Sequence, residues 1–263
     1  MKLIYVKFLI TTSLTFTLSS CTQTSDVSSV ALQQSITNSI FADAITNFKV
    51  NVVYEVGATP YTGNLDLALN DTWSITRDSY AALFQNHVGR TLTIPTMVNQ
   101  MTQIADQNHL VWTTDELLNL GKMNALTLIV GSQINVSVIF LNGTYQGNSS
   151  ILGVHFTGNP FVFIFKDVVI SAGGTSTDQR YVEQATVVHE IGHAVGLVNN
   201  GLPMVSSHED GAHAKHSIDN QCVMYWSVES STSILSGLNH FILAGQLNLF
   251  AADSLADGRA YHP

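Results

Sequence analysis

The segment ATVVHEIGHAVGLVNNG, residues 185–201, contains two histidines four positions apart, with a glutamate directly after the first. Residues four apart on a helix share one face, so the imidazoles of His189 and His193 can bind a single metal ion. Glu190 lies next to the first ligand, where its carboxylate can take a proton from water without binding the metal itself. The spacing therefore predicts a zinc centre with Glu190 as the catalytic base.

A catalytic zinc ion needs three protein ligands and an open position for water, so a third ligand must complete the pair. The pattern His-Glu-x-x-His-x-x-Gly-x-x-His places this ligand at position 199, where the chain has Asn199. A neutral asparagine amide is a poor zinc ligand, so a later residue is the better candidate. The polar stretch that follows contains three histidines, His208, His213 and His216. A different class of zinc protease would use a downstream glutamate, which nominates Glu209 or Glu229.

The residues after these histidines resemble the archaemetzincin pattern. In that family the third histidine is followed by cysteine, four residues and Cys-Val-Met. This chain has His216 and Ser217, then four residues, then Cys222, Val223 and Met224. The resemblance implies that His216 is the third zinc ligand and that Met224 belongs to the turn beneath the metal. It also implies an insertion of about 17 residues before the third ligand.

Over residues 49–228 the chain resembles a metzincin-type zinc metalloprotease, with the specific motifs confined to residues 189–224. The resemblance implies a zincin fold: a small, mostly parallel, twisted sheet with an antiparallel edge strand, helices packed on it, and an active-site helix followed by a loop and a Met-turn. It also implies a cleft above a Zn²⁺ ion, where an extended peptide pairs with the edge strand at residues 151–157. The chain lacks the later cysteine pair of archaemetzincins, so a second, structural zinc site is not expected.

The identity of the third ligand stays open at this point. The spacing to the Cys-Val-Met segment favours His216, and the alternatives are His213, His208 and Asn199. His208 and His213 could instead support the metal ligands or the inserted loop, residues 199–215, or bind a loop-stabilising ion together with Glu209 and Asp210. Gly196 indicates that the chain turns out of the helix, which argues against a glutamate ligand on a continuing helix.

The segments around these motifs alternate between strand and helix character. Strand-like composition occurs in residues 49–56, 135–141, 151–157 and 161–170. Helical patterns occur in residues 78–88 and 175–195, and on an apolar face from Met97 to Ala105. A further helix is predicted to begin at a cap formed by Thr113 and Glu116 and to stop at Gly121. This order predicts an α+β or α/β-like domain, with helices packed on a small sheet.

The composition excludes several classes of partner. The chain has 263 residues, of which 45% are hydrophobic and 11% are charged, enough for one sizeable core. Its net charge of −9 argues against a nucleic-acid-binding surface and leaves no basic patch for anionic membranes. The expected partners are therefore neutral or basic.

The N-terminal segment has the layout of an export signal. Residues 1–20 run from two lysines through an apolar stretch, and the sequence LSSC at residues 18–21 resembles the bacterial lipoprotein cleavage box. The resemblance predicts a lipid on Cys21, a flexible tether over residues 21–40 and a catalytic domain over residues 41–263. The exported protein is then expected in the cell envelope, anchored in the outer membrane or at the cell surface, or released. The lipid is its one expected membrane contact.

Together these features predict a monomeric zinc-dependent endopeptidase that hydrolyses polypeptides, with Glu190 activating a metal-bound water. Two alternatives come from other classes. One is a non-catalytic surface lipoprotein with a structural zinc ion, and the other is a metal-dependent hydrolase of non-protein amides.

Overall fold

The structure, a computed structural model, describes residues 23–65 and 70–263. The predicted signal sequence, residues 1–20, and the predicted lipid attachment at Cys21 lie outside the described residues. Both stay predictions.

Within the described ranges the chain forms seven α-helices and nine strands. The helices are α1 Gln23–Phe41, α2 Ser74–Leu83, α3 Thr114–Asn124, α4 Lys166–Ser171, α5 Ser176–Val195, α6 Ile234–Ala244 and α7 Ala252–Ala260. The strands are β1 Asn47–Glu55, β2 Thr91–Thr93, β3 Thr102–Ile104, β4 Val111–Trp112, β5 Ile129–Val130, β6 Gln133–Leu141, β7 Thr144–Tyr145, β8 Gly153–His155 and β9 Phe161–Phe165. Short 3₁₀ turns occupy Val98–Gln100 and Trp226–Glu229.

The main sheet has the strand order β2-β1-β6-β9-β8. Strand β1 pairs parallel with β2, β3 and β6, and β6 pairs parallel with β9. Strand β8 is antiparallel to β9 and forms one edge of the sheet, whereas β5 pairs antiparallel with β6. The predicted class, helices on a mostly parallel sheet with an antiparallel edge strand, is confirmed.

The two central strands are buried on both faces. Every residue of β9 is buried, as is β6 from Ile134 to Leu141. A strand covered on both sides needs apolar side chains in both directions, which explains their continuous apolar sequences. Helix α5 packs against β9, so the helix that carries His189 and His193 rests directly on the centre of the sheet.

Two of the predicted segments differ from the structure in their type of secondary structure, and the helix predicted over residues 78–88 is α2, Ser74–Leu83. The predicted strand 161–170 ends at Phe165, and its second half is helix α4. Residues 97–105 form a 3₁₀ turn and strand β3 instead of a helix, because β3 adds to the open edge of β1 from Val53 to Glu55. Tertiary pairing outweighs the apolar spacing there.

Gly121 does not stop helix α3, which continues to Asn124. The predicted capping box of Thr113 and Glu116 is present at the start of this helix. A Cβ atom at position 121 would lie 2.3 Å from the ring of Phe161, so the glycine permits close packing of α3 on β9.

The predicted tether, residues 21–40, is wrong for the part that the structure describes. Helix α1 begins at Gln23, and Ile36, Ile40 and Phe41 of this helix are buried in the core. Ile36 and Ile40 are four residues apart and share a helix face, which is the physical reason for the packing. The folded unit therefore starts before residue 41.

No helix in residues 23–65 or 70–263 combines the length and apolar character needed to cross a bilayer.

Candidate metal centre

Helix α5 presents the two histidines of the central motif. It begins after Thr175, whose hydroxyl accepts a hydrogen bond from the backbone N–H of Asp178, and the Asp178 carboxylate in turn accepts the N–H of Thr175. It ends at Gly196, whose φ of +102° lies in the left-handed region that favours glycine. The helix thus holds His189 and His193 one turn apart on the same face.

Four side chains converge at this face of the helix: those of His189, His193, His216 and Glu229. One ligand atom from each lies within 4.8 Å of the others. The Nε2 atoms of His189 and His193 are 3.0 Å apart. The Oε1 atom of Glu229 lies 3.4 Å, 3.8 Å and 3.0 Å from the Nε2 atoms of the three histidines in chain order.

Backbone carbonyls orient two of these imidazoles. The Nδ1 atom of His189 lies 2.7 Å from the carbonyl oxygen of Val223, and the Nδ1 atom of His216 lies 3.1 Å from that of Ala214. A carbonyl only accepts, so Nδ1 carries the proton in each ring, and in a neutral imidazole Nε2 is then an unprotonated acceptor. Metal-binding histidines characteristically use their second nitrogen in this way.

The cluster has the donor chemistry of a metal site. The imidazole Nε2 atoms and a carboxylate oxygen lie within 4.8 Å of one another, and such a group of acceptors can bind protons or a metal cation. Imidazole nitrogen and carboxylate oxygen are both ligands that zinc accepts. The residues present therefore fit a zinc ion held by His189, His193 and His216.

Met224 lies directly beneath the metal-binding turn of α5. Its side chain is fully buried, and a Cβ atom at Gly192 would lie 2.4 Å from its sulfur atom. Gly192 is therefore the residue that lets the methionine turn approach the helix between the two histidines. This is the position that the resemblance implied for Met224.

Backbone hydrogen bonds within and next to the inserted loop position His216. The backbone N–H of Asp210 donates to the carbonyl of His216, and that of Ile218 donates to the carbonyl of His208. Glu209 holds the loop closed, because its carboxylate accepts from the side chain of Asn199 and from the backbone N–H of Lys215. The insertion is thus an ordered support for the third histidine.

The alternative third ligands lie elsewhere. His213 stacks on Trp226 with ring centroids 4.4 Å apart, and its Nδ1 atom lies 2.7 Å from Asp210. His208 is buried with its Nε2 atom 3.4 Å from the carboxylate of Asp257 in α7. Asn199 donates to Glu209, as described above. All three residues stabilise the loop and lie outside the histidine cluster.

Glu190 is buried beside the cluster, with 1% of its surface exposed, and it lines the adjacent cleft. Neither of its carboxylate oxygens has a hydrogen-bond partner in the described part of the chain. Burial raises the pKa of the Glu190 carboxyl well above its usual range, and the nearby Glu229 carboxylate raises this pKa further. A buried carboxyl without a partner is costly, and such groups are typical of sites that receive a water or a substrate.

Burial also acts on the neighbouring groups. It lowers the pKa of His193 well below its usual range, against the opposing effect of a hydrogen bond to Glu229. Burial disfavours ionisation of Glu229 as well, but the three imidazoles, each of which donates from Nε2 when its ring is protonated, outweigh burial and keep the pKa of this carboxyl well below its usual range. The centre therefore contains one ionised carboxylate, Glu229, and one carboxyl that burial makes a stronger base, Glu190.

A cleft of about 240 Å³ opens beside the cluster. Residues of the edge strand β8 form one wall, and residues of the inserted loop form another, including Lys215. The predicted edge strand at residues 151–157 is present as β8, which is shorter than predicted. His155 of this strand faces the cleft, and burial lowers its pKa to about 4, with a hydrogen bond to the carbonyl of Asn159 opposing.

Sequence reasoning missed two features of the site. Glu229 was nominated only as a substitute for the third histidine, whereas the structure places it together with all three histidines. The role of Asn199 in holding Glu209 was also missed, because position 199 was considered only as a ligand position. The ten-residue separation of Asn199 and Glu209 gave no local signal for this contact.

Two solved structures resemble this chain. The first is archaemetzincin from Archaeoglobus fulgidus, crystallised with malonate, with 14% identity, a TM-score of 0.41, and coverage of 80% of this chain and 99% of that one. The second is archaemetzincin from Methanopyrus kandleri, with 12% identity, a TM-score of 0.39, and coverage of 76% and 97%. No protein-family model and no curated protein sequence matches the chain. The functional assignment therefore stands on the residues of the site.

Proposed function

We propose that this protein is a zinc-dependent endopeptidase that cleaves polypeptides in the cleft beside β8. One observation carries the proposal: the metal-binding nitrogens of three histidines converge next to the buried, unpartnered carboxylate of Glu190. A metal site and a free base at one cleft are the two components that water-promoted amide hydrolysis requires.

His189, His193 and His216 hold the metal in this proposal. When bound, a zinc ion supplies Lewis acidity, which lowers the pKa of water and polarises a carbonyl group. Glu190 supplies the proton transfer: its carboxylate accepts a proton from the attacking water and passes it to the leaving amine. The raised pKa of Glu190 suits the first step, because burial makes its carboxylate a stronger base.

Strand β8 provides the binding surface for the substrate. It is the edge of the sheet, so one side of its backbone is paired with β9 and the other faces the cleft. An extended peptide can add to such an edge through main-chain hydrogen bonds, which every polypeptide offers regardless of sequence. This mode of binding explains why a peptidase cleft needs few specific side chains.

The substitution Glu190→Gln tests the proposal. It keeps the size of the side chain and removes the base, so we expect peptide hydrolysis to fall by about 10²–10⁴-fold. Zinc content, measured by atomic absorption on the same samples, is expected to stay near that of the parent. Equal cleavage rates in parent and variant, or cleavage that persists in a strong chelator, would contradict the proposed mechanism.

A second candidate function has one observation in its favour. The carboxylate of Glu229 completes a set of four potential ligands, and four protein ligands are characteristic of structural zinc sites. Under this alternative the metal stabilises the fold, and Glu190→Gln alters neither stability nor any hydrolytic rate. Loss of folded structure on metal removal, without zinc-dependent hydrolysis of peptides, would favour it.

A further inference from the structure

We propose that Glu229 is a fourth protein ligand of the metal centre and that it holds the resting site closed. The proposal rests on the metal centre assigned under the proposed function, and it does not require that the protein cleave peptides. Three observations support it: the position of the carboxylate oxygen, the backbone pairing of the segment that carries it, and the exposure of the side chain.

The Oε1 atom of Glu229 lies 3.0 Å to 3.8 Å from each of the three Nε2 atoms. Ligand atoms about 2.0–2.1 Å from a tetrahedral zinc ion are separated from each other by about 3.3 Å. The carboxylate oxygen is therefore spaced from the histidines as a fourth ligand would be. A catalytic zinc site normally leaves this position for water.

The backbone around Glu229 also pairs with the chain that leads into the edge strand β8. The N–H of Leu152 donates to the carbonyl of Glu229 over 2.8 Å, and the N–H of Ser231 donates to the carbonyl of Ser150 over 2.9 Å. Ser230 forms an antiparallel bridge with Ile151, two residues before β8 begins. The segment thus pairs with the chain that leads into β8 in the same way that an antiparallel peptide would.

One segment therefore covers two features beside the cleft: the open metal position and the chain that leads into the edge strand β8. The side chain of Glu229 is 33% exposed, whereas that of His189 is 1% exposed. A carboxylate at the mouth of the cleft can turn toward solvent without unfolding of the core, but the histidines cannot. The resting centre is then a latent one, and displacement of Glu229 by a substrate opens it.

Two carboxamide variants test this proposal. Glu229→Gln keeps the size of the side chain but replaces a zinc-binding carboxylate with a poor ligand. Glu116→Gln is the matched control, because the Glu116 carboxylate accepts hydrogen bonds from Thr113 at the start of α3 and lies outside the histidine cluster. Zinc affinity is measured by competition with a chelator. Access to the metal is measured by azide titration of the cobalt-loaded protein, followed by visible absorption.

We expect Glu229→Gln to weaken zinc binding by more than about tenfold, since loss of an outer-shell partner alone costs about 10–100-fold. We also expect tighter azide binding and faster peptide hydrolysis, because the fourth position is open in this variant. The Glu116→Gln control is expected to match the parent in zinc and azide affinity. Zinc and azide affinities that are the same in parent and Glu229→Gln would overturn the proposal.

The same samples separate the two proposals. If Glu229→Gln binds azide more tightly than the parent but neither protein cleaves any peptide, the fourth-ligand assignment stands and the proposed peptidase function fails. If both proteins cleave peptides equally and bind azide equally, the peptidase function stands and the assignment of Glu229 fails.

Discussion

The side chains of the centre divide into groups held by local structure and groups held by distant contacts. His189, Glu190 and His193 come from one helix, and their spacing follows from 3.6 residues per turn. His216 comes from the far end of the inserted loop, where Glu209 fixes the adjoining backbone. The position of His216 therefore depends on the loop, and its contribution to metal binding is the one that most needs a direct measurement.

Replacing His216 with alanine should abolish tight zinc binding. A zinc ion that loses one of three histidine ligands should bind more weakly by more than about 100-fold, beyond the effect of losing an outer-shell partner. His213→Ala is the matched control, because that ring stacks on Trp226 instead. Competition with a fluorescent chelator measures both variants, and Asn199→Ala should also retain zinc. Retention of zinc by His216→Ala with loss in either other variant would reassign the third ligand.

Helix α5 and the turn at Met224 form the rigid support beneath the histidine cluster. The carbonyl of Val223 accepts from His189, and the next residue, Met224, places its sulfur against Gly192. These contacts join the helix to a turn later in the chain, since His189 and Val223 are 34 residues apart. The orientation of the first histidine is therefore set by packing between two elements.

Gly192→Ala tests that packing. Alanine favours a helix over glycine by about 1 kcal/mol, so propensity alone predicts stabilisation. The added methyl group would meet the buried sulfur of Met224 at 2.4 Å, and such overpacking costs about 1–3 kcal/mol. We expect a net loss of free energy of unfolding, measured by urea denaturation of the metal-free protein. Gly211→Ala, where nothing lies within 4 Å of the added Cβ atom, should leave stability nearly unchanged.

Helix α1 makes the N-terminal part of the described chain an integral part of the molecule. The amide nitrogen of Gln33 donates to the carbonyl of Ala194 at the end of α5, over 3.0 Å. Its amide oxygen accepts from the N–H of Gly158, in the turn between β8 and β9, over 2.9 Å. This single side chain joins the metal-binding helix to the edge of the cleft, so α1 contributes to the geometry of the site as well as to the core.

Two separate alanine substitutions in α1 measure how much this helix contributes to the stability of the fold. Ile40 is fully buried, and its replacement by alanine should lower the free energy of unfolding by about 2–5 kcal/mol. Val30 in the same helix is 60% exposed, and Val30→Ala should change stability by less than about 0.5 kcal/mol. Equilibrium unfolding followed by circular dichroism compares the two. Equal, small effects would show that α1 is a detachable tether after all.

The features that follow from local chemistry can be predicted from the sequence alone. The histidine pair, the base between them, the caps at Thr113 and Thr175, and the exit at Gly196 each depend on residues within one or two helical turns. Three other features could not: the packing of α1, the strand at Thr102–Ile104, and the presence of Glu229 with the histidines. Each of these depends on partners far away in the chain, and periodicity within a segment carries no information about such partners. Glu229 lies 40 residues after His189, as their residue numbers show, and the fold alone brings its carboxylate to the metal-binding nitrogens.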